Sequence, residues 1–332
     1  MIKLTLSIAA TLTLLSGCGP APQTPLGSDS VIKGVNYVGV TVTDLERATE
    51  FYTQTMDLEL VGSDPFIPAP SMSALVGSDE TRAQTRMLRS VNAQFRLMQF
   101  DQAAGITPAP APPVQGPGIA HLCFQVAQST NMYQRALDGG ATPIGDPELV
   151  QLIGRNPVYY GYAQDQDGIL FEIEEVDKEK LPEDRRPPND YRIRHVSLAT
   201  GNMDRLGSFY STLLDTPNPR QVGGPNGVSG EQFDKVSGLT NSSIRMTWFQ
   251  VRNLELEIFE YVSHPPQAND TPRTLTDVGY NMIVFDVADL DAARTKFLSA
   301  GGTLELESEQ LDGAPAFFGR DPDGNILAFQ AA

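Results

Sequence analysis

Cysteine, histidine and tryptophan are scarce in this sequence: its 332 residues include two cysteines, three histidines and one tryptophan. Two cysteines exclude a disulfide-rich framework, so the fold must depend on an apolar core, and a chain of this length can bury a large one. Positive charge is also in deficit, because 24 Lys and Arg face 41 Asp and Glu and give a formal net charge of -17. A face that binds nucleic acid needs basic residues for the phosphates, so nucleic acid is not an expected partner.

The N-terminal apolar run, LTLSIAATLTLL (4–15), is shorter than the roughly 20 residues that span a bilayer. It follows the positive start MIK and precedes LSGC (15–18). This arrangement resembles a bacterial lipoprotein signal, which implies a signal peptide at 1–17, lipid on Cys18 and a linker at 18–33. The protein is then expected to be exported and anchored by its lipid in the cell envelope, on the periplasmic side and in the outer membrane. The alternative is an ordinary secretory signal with a chance cysteine.

Two pairs of similar segments make up much of the remaining chain. VNYVGVTVTDLERATEFYTQTM (35–56) matches IRHVSLATGNMDRLGSFYSTLL (193–214), and IAHLCFQVAQSTNMYQRALDGGATPI (119–144) matches YNMIVFDVADLDAARTKFLSAGGTLE (280–305). Each segment reads as a strand followed by a helix. Later strands flank Asp-Gly hairpin signals, and proline-rich joins separate the units. The sequence therefore predicts two halves, each made of two βαβββ-like modules.

This pattern of four modules, ending in the hairpin DPDGN (321–325), resembles the vicinal oxygen chelate superfamily. That superfamily includes glyoxalase I, bleomycin-resistance proteins and the extradiol dioxygenases. The resemblance implies an α+β fold in which four βαβββ modules form two open, eight-stranded cups in one chain, with a metal ion on the concave face. The first domain is expected to cover residues 34–176 and the second residues 190–332.

The resemblance also indicates ligand positions, because the first strand of a module usually carries a histidine and its last strand a glutamate. The second and third modules keep both residue types: His121, Glu172, His195 and Glu257. The first and fourth modules have other residues there: Tyr37, Arg96, Asn281 and Ala328. If the second module pairs with the third, as in glyoxalase-I-like proteins, the chain has one complete site and one without ligands. If the first pairs with the second and the third with the fourth, two half-sites result.

The residue types themselves agree with a metal site. Neutral imidazoles and carboxylates suit a borderline-to-hard divalent ion, and two glutamates match its charge. In the strand ILFEIE (169–174), alternation places Glu172 opposite the apolar residues, so it would face the cup, where an unpaired carboxylate is costly. We therefore expect one divalent ion (Zn, Ni, Co, Mn or Fe) held by His121, Glu172, His195 and Glu257.

By the same resemblance, the expected function is that of a metal-dependent enzyme. It would be a glyoxalase-I-like isomerase, epimerase or lyase that acts on a small oxygenated substrate through a metal-stabilised enediolate. Glu172 is the expected base, and Glu257 is the other catalytic candidate. Glutathione is not assumed, because it is mainly cytoplasmic and this protein is expected to be exported. Both halves lie in one chain, so a monomer is sufficient.

Two alternative functions remain open at this stage. An extradiol-type Fe(II) dioxygenase usually needs a further acid–base histidine, and only His264 remains, in a proline-rich connector where exposure is expected. A non-catalytic protein that sequesters a small molecule is the other alternative, although such superfamily members typically lack the metal ligands.

Several further positions carry weaker predictions. With Cys18 lipidated, Cys123 has no disulfide partner and is expected to be a small buried residue beside His121. Trp248 and Phe249 lie on a predicted strand and are expected in the core. The long insertions at 62–85 and 222–243 are either covers over a site or irregular surface loops.

Overall fold

The computed structural model describes residues 30–78, 81–101, 108–267 and 271–332. The predicted signal peptide at 1–17 and the lipidated Cys18 lie outside the described residues. Among the helices that are described, none combines the length and the apolar character needed to cross a membrane.

The described residues form four modules in chain order. The first contains β1 (Ile32–Thr41), α1 (Leu45–Thr55), β2 (Glu59–Gly62), α2 (Ser73–Val76), β3 (Ala83–Arg89) and β4 (Gln94–Phe100). The second contains β5 (Gly118–Ala127), α3 (Met132–Asp138), β6 (Thr142–Pro143), β7 (Val158–Gln164) and β8 (Leu170–Val176). The third contains β9 (Tyr191–Ala199), α4 (Met203–Leu213), β10 (Arg220–Val222), β11 (Val228–Ser229), α5 (Glu231–Ser237), β12 (Ser243–Val251) and β13 (Leu254–Tyr261). The fourth contains β14 (Gly279–Val287), α6 (Leu290–Ala300), β15 (Thr303–Leu311), β16 (Ala314–Arg320) and β17 (Ile326–Ala331).

The first long helix of most modules begins at a polar residue that the sequence supplies. Asp44 precedes α1 and its side chain accepts a hydrogen bond from the backbone N–H of Arg47. Asn202 caps α4 in the same way, and Asp289 caps α6. Such caps satisfy backbone donors that the helix itself leaves without partners. They fix where each helix starts above its sheet.

The strands form two open, mixed sheets, each built from one module of each half. The first sheet has the order β15-β16-β17-β14-β1-β4-β3-β2 and joins the first module to the fourth. The second has the order β10-β12-β13-β9-β5-β8-β7-β6, with the short β11 added on β12, and joins the second module to the third. The predicted α+β fold with two open cups is confirmed, although the second sheet has nine strands. The domain limits 34–176 and 190–332 stay a prediction.

Hydrogen bonds between helices and hairpins tie the two modules of each half together. The hydroxyl of Tyr52 on α1 donates to Asp165 in the hairpin of the second module, at 2.9 Å. Tyr210 on α4 donates in the same way to Asp321 in the hairpin of the fourth module, at 3.0 Å. Burial raises the pKa of both aspartates to about 6. This pair of contacts explains why a Phe-Tyr sequence and an Asp-x-Asp-Gly hairpin recur in both halves.

A large apolar core lies between the sheets and their helices. It takes aromatic residues from all four modules, including Phe51, Phe171, Phe209 and Phe329. The aromatic side chains meet in close pairs, such as Phe317 and Phe329, whose ring centroids are 4.5 Å apart. The concave faces of the two sheets point away from this shared core, so each cup has its own lining.

Candidate metal centre

The two central strands of the second sheet bring His121 and His195 together. β5 and β9 pair antiparallel, with Cys123 opposite His195 and His121 opposite Ser197. The flanking strand β8 runs parallel to β5 and places Glu172 beside Cys123, and β13 runs parallel to β9 and places Glu257 beside Ser197. The pairing of the second module with the third is therefore the one that unites all four predicted residues.

Distances are short between the side chains of His121, Glu172, His195 and Glu257, which are called the metal cluster below because they are the predicted ligands. Nε2 of His195 lies 3.0 Å from Oε2 of Glu172 and 3.3 Å from Oε2 of Glu257. Nε2 of His121 lies 3.6 Å and 3.8 Å from the same two atoms. Ligand atoms at 2.0–2.2 Å from one ion are roughly 3–4 Å from each other. The spacing is thus compatible with four ligands around a single divalent ion.

The electrostatics of this cluster also favour a cation. All four side chains are buried, and although Nε2 of His195 lies within hydrogen-bond distance of Glu172, no imidazole nitrogen has the alignment of a hydrogen bond to any described residue. Buried polar atoms without partners are costly. Burial alone favours the neutral acid of Glu172, but the imidazoles of His121 and His195 outweigh it and hold its pKa well below the usual range. The residues present therefore fit a bound divalent metal.

Aromatic and polar neighbours hold the cluster in place. The rings of Tyr162 and Phe259 lie 5.1 Å and 5.7 Å from the ring of His121, measured between centroids. The hydroxyl of Ser197 donates a hydrogen bond to Oε2 of Glu257. These contacts restrict the rotamers of His121 and Glu257, which keeps the ligand atoms directed to one point.

A cavity of about 70 Å³ opens beside the cluster and is lined by both Glu172 and Glu257. The insertion at 222–243 contributes Phe233 and Val236 to its wall, both on or beside the short helix α5. This cavity is small compared with the roughly 300–1,000 Å³ clefts that enclose drug-sized ligands. The cavity therefore admits only a small ligand beside the metal cluster.

The sequence profile of the Glyoxalase/Bleomycin resistance protein/Dioxygenase superfamily matches residues 34–173 and 192–329. The chain belongs to this superfamily. Its fold is similar to that of glyoxalase I from Zea mays, with a TM-score of 0.62 and 15% identity over 90% of this chain and 92% of that one. It is also similar to a proposed dioxygenase from Bacillus subtilis subsp. subtilis str. 168, with a TM-score of 0.56 and 12% identity over 91% and 86% of the two chains. No protein of curated function matches the sequence.

The other cup of this superfamily member is filled by protein. Side chains of the insertion at 62–85, including Phe66, Leu75 and Val76, pack on its concave face together with Tyr37 and Ala328. The insertion that the sequence left open as a cover or a loop therefore acts in this cup as a plug. Two of the four ligand positions of the first and fourth modules, Tyr37 and Ala328, therefore belong to an apolar cluster.

An ion pair between buried Arg96 and the more exposed Asp312 lies at the ligand positions of the filled cup. Nη1 of Arg96 lies 2.6 Å from Oδ1 of Asp312 and 3.3 Å from the hydroxyl of Tyr37, which donates to Asp312 at 3.0 Å. Asn281 donates from its amide to Thr41 at 2.7 Å. A guanidinium already supplies positive charge here; that this cup holds no metal stays a prediction.

Two other predicted positions lie where the sequence placed them. Cys123 is a free, fully buried cysteine. Burial, with the nearby carboxylates of Glu172 and Glu174, raises the pKa of its thiol well above the usual range, so it is not a ready nucleophile. His264 lies at the surface, with Nδ1 2.9 Å from the hydroxyl of Ser263.

Trp248 and Phe249 are both buried, as expected, but they lie on opposite faces of β12. Phe249 packs in the main core, whereas Trp248 lines the cavity beside the metal cluster. The reason is strand alternation, which sends consecutive side chains to opposite faces, so the two could not share one environment. Strand alternation in the sequence was therefore enough to predict that Trp248 and Phe249 face opposite sides of the sheet.

A network of buried charges beside the cluster was missed from the sequence. Arg194 donates to Glu174 and, at 3.2 Å, to Glu255, and it lines the same cavity as His195. Arg194 and His195 line the same cavity although they are consecutive, because Arg194 is a bulge in β9. Cys123 pairs with His195 and Phe124 pairs with Ile193, so Arg194 has no opposite residue on β5. Such a bulge breaks the alternation on which sequence reasoning depends.

Proposed function

We propose that this protein is a metal-dependent enzyme of the glyoxalase type, which isomerises, epimerises or cleaves a small oxygenated substrate. The observation that carries the proposal is the convergence of His121, Glu172, His195 and Glu257 in one buried cluster, in which no imidazole nitrogen is aligned for a hydrogen bond to a described residue. Membership of a superfamily that includes glyoxalases supports it. One chain supplies both modules of the cup, so no second chain is needed to complete the site.

The proposed roles differ between the two glutamates. Glu172 lies closer than Glu257 to both imidazoles, so we assign Glu172 with His121 and His195 as the firm metal ligands. Glu257 is the fourth ligand and the proposed base, which reverses the preference for Glu172 drawn from the sequence. Its carboxylate is oriented by Ser197 and lines the cavity. A base must be within hydrogen-bond reach of the proton that it removes.

The bound divalent ion would act as a Lewis acid on the substrate's oxygens. The chain supplies the rest: Glu257 accepts the proton from the carbon next to the substrate's carbonyl and returns it. Tyr162 and Phe259 wall off the cluster, and Phe233 and Val236 limit the entry of water. Charge interactions are stronger in such a buried site than in bulk water.

The decisive experiment has two readouts. Purified protein is loaded with Zn, Ni, Co, Mn or Fe and its metal content is measured. Small hydroxy- and oxo-compounds are then incubated with it in D₂O, and exchange of carbon-bound hydrogen next to a carbonyl is followed by NMR. We expect about one metal per chain and metal-dependent exchange with at least one compound. Two metals per chain, or exchange that survives complete metal removal, would contradict the proposal.

Variants separate the two glutamates. Glu172→Gln should lower metal content, whereas Glu257→Gln should retain most metal and lose exchange activity by about 100-fold or more. Glu260→Gln is the matched control, because Glu260 lies on the same strand but pairs with Arg245 outside the cavity. Full activity in Glu257→Gln would show that Glu257 is not the base.

The dioxygenase alternative receives less support from the site. Of the three histidines in the sequence, two are in the metal cluster and His264 lies at the surface. No further imidazole is therefore available for acid–base chemistry in the cavity. Oxygen consumption by the Fe(II)-loaded protein with catechols tests this alternative directly.

A further inference from the structure

The cavity beside the metal cluster contains a second polar feature that the proposed reaction does not use. Arg220 on β10 pairs in register with Trp248 on β12, and both line the cavity. The guanidinium carbon of Arg220 lies 3.8 Å from the centroid of the indole ring. At this distance the guanidinium makes a cation–π contact with the face of the indole.

Trp248 supplies an independent indication of a ligand. The residue is 7% exposed, and its buried Nε1 has no hydrogen-bond partner among the described residues. An indole N–H only donates, and burying it without an acceptor costs free energy. A purely structural role for the stacked pair does not account for that donor, whereas an oxygen atom of a ligand in the cavity does.

The position of this pair fixes where such a ligand would lie. Trp248 is directly opposite Glu257 in the β12–β13 ladder, so the indole is a neighbour of the proposed base. Nη2 of Arg220 lies 3.6 Å from Oε2 of Glu255, two residues before Glu257 on the same strand. A molecule that reaches the metal cluster with one end can therefore reach the Arg220–Trp248 pair with the other.

The charges around the cavity indicate the sign and size of the ligand's charge. A divalent ion with Glu172 and Glu257 is neutral. The adjoining network holds three guanidinium groups and two carboxylates, linked through Gln125 and direct contacts: Arg192, Arg194, Arg220, Glu174 and Glu255. Within these five residues the positive charges exceed the negative ones by one, which favours a singly charged anion as the ligand.

We propose that Arg220 and Trp248 form a carboxylate-binding subsite, so that the substrate is a small oxygenated carboxylic acid whose other oxygens lie at the metal. This inference rests on the proposed function, because it assumes a metal in the neighbouring cluster. The cavity of about 70 Å³ limits the acid to a short chain. Arg220 and Trp248 are then the residues that determine specificity for the acid.

Hydroxamates that chelate metals provide the probes. Zn-loaded protein is titrated by calorimetry with malonic and succinic monohydroxamate and with propionohydroxamate and butyrohydroxamate, in which a methyl group replaces the carboxylate. We expect at least one acid to bind about tenfold or more tightly than its neutral counterpart, since a hydrogen bond to a charged group contributes roughly 1.5–3 kcal/mol. Phosphonoacetohydroxamate tests whether a doubly charged group is preferred.

Matched variants locate the effect. Arg220→Gln should remove the tighter binding of the acid, while metal content and the affinity for the neutral hydroxamate stay unchanged. Arg220→Lys should retain part of the difference in affinity between acid and neutral hydroxamate, and Trp248→Phe should reduce that difference. Arg245→Gln is the control, because Arg245 has a side-chain exposure of 18% against 19% for Arg220 but pairs with Asp204 and Glu260 outside the cavity. It should behave like the wild type.

Each contrary outcome has a distinct meaning. Neutral hydroxamates that bind without any advantage for the acids, or an advantage that survives in Arg220→Gln, would overturn the subsite and leave the metal site intact. A larger advantage for the phosphonate would overturn the assignment of a singly charged group. Absence of stoichiometric metal would overturn the proposed function and this inference with it.

Discussion

Metal binding should stabilise the folded chain, and alanine variants of the three histidines can show which residues bind the stabilising ion. The four ligands converge only in the folded cup, because they come from four different strands of two modules. A ligand that binds the folded state alone stabilises it by about 2.7 kcal/mol at a free concentration 100-fold above its Kd. With an unfolding entropy of roughly 2.1 cal/mol/K per residue, about 300 folded residues give a rise in Tm of about 1.6 °C per kcal/mol, so the expected shift is about 4 °C.

The assay is thermal unfolding of chelator-treated protein with and without one divalent ion at a fixed free concentration. His121→Ala and His195→Ala should each lose most of the shift, since removing one ligand weakens the binding of the ion. His264→Ala is the control, because its side chain contacts Ser263 at the surface and lies outside the cluster. It should retain the full shift.

Three outcomes would refute the reasoning. A wild-type chain whose Tm does not respond to any of the candidate ions has no site that depends on folding. A full shift in the His121→Ala, His195→Ala double variant places the ion elsewhere. Loss of the shift in His264→Ala would mean that the stabilising site is at the surface connector.

The remaining predictions concern pH, the cavity cover and the N-terminus. The pKa of Asp165 and Asp321 is raised to about 6, so both carboxyl groups stabilise the fold fully below about pH 4 and lose this contribution as pH rises through 6. Urea unfolding should show a loss in the free energy of unfolding of roughly 2–3 kcal/mol per group over this range. The variant with Asn at both positions should not show this loss. A Cβ on Gly145 would lie 1.8 Å from the carbonyl oxygen of Lys235 on α5. Gly145→Ala should therefore displace α5 and speed amide hydrogen exchange in that helix, while the metal content stays unchanged. Unaltered exchange would contradict this prediction. We propose that Cys18 is lipidated: the wild type should incorporate labelled fatty acid and fractionate with membranes, and Cys18→Ser should do neither.

The repeated modules explain how much of the fold could be predicted. Because equivalent strands recur, the sequence placed His121 and Glu172 on strands of the second module, and the structure has them on β5 and β8. Strand alternation correctly put the apolar residues around Glu172 in the main core. The pairing of modules across the halves followed from the family resemblance, since no local pattern encodes which sheet edges meet.

The features that escaped prediction depend on irregular backbone. The bulge at Arg194 puts two consecutive side chains in the cup, and nothing in residues 192–195 announces it. The insertions at 62–85 and 222–243 have similar positions in their modules, yet one fills a cup and the other covers a cavity. Their roles are set by what the opposite module presents, which is long-range information.

The exchange of modules between the halves has a consequence for how the two cups could diverge. In a pair of identical half-length chains related by twofold symmetry, both cups would be built from the same strands, and every substitution would alter both at once. A single chain encodes each strand separately, so His121 can remain in one cup while Asn281 occupies the corresponding strand of the other. When the halves are joined in one chain, one cup can become a packed support while the other keeps the metal ligands. A symmetric assembly of identical halves cannot have two cups with different roles.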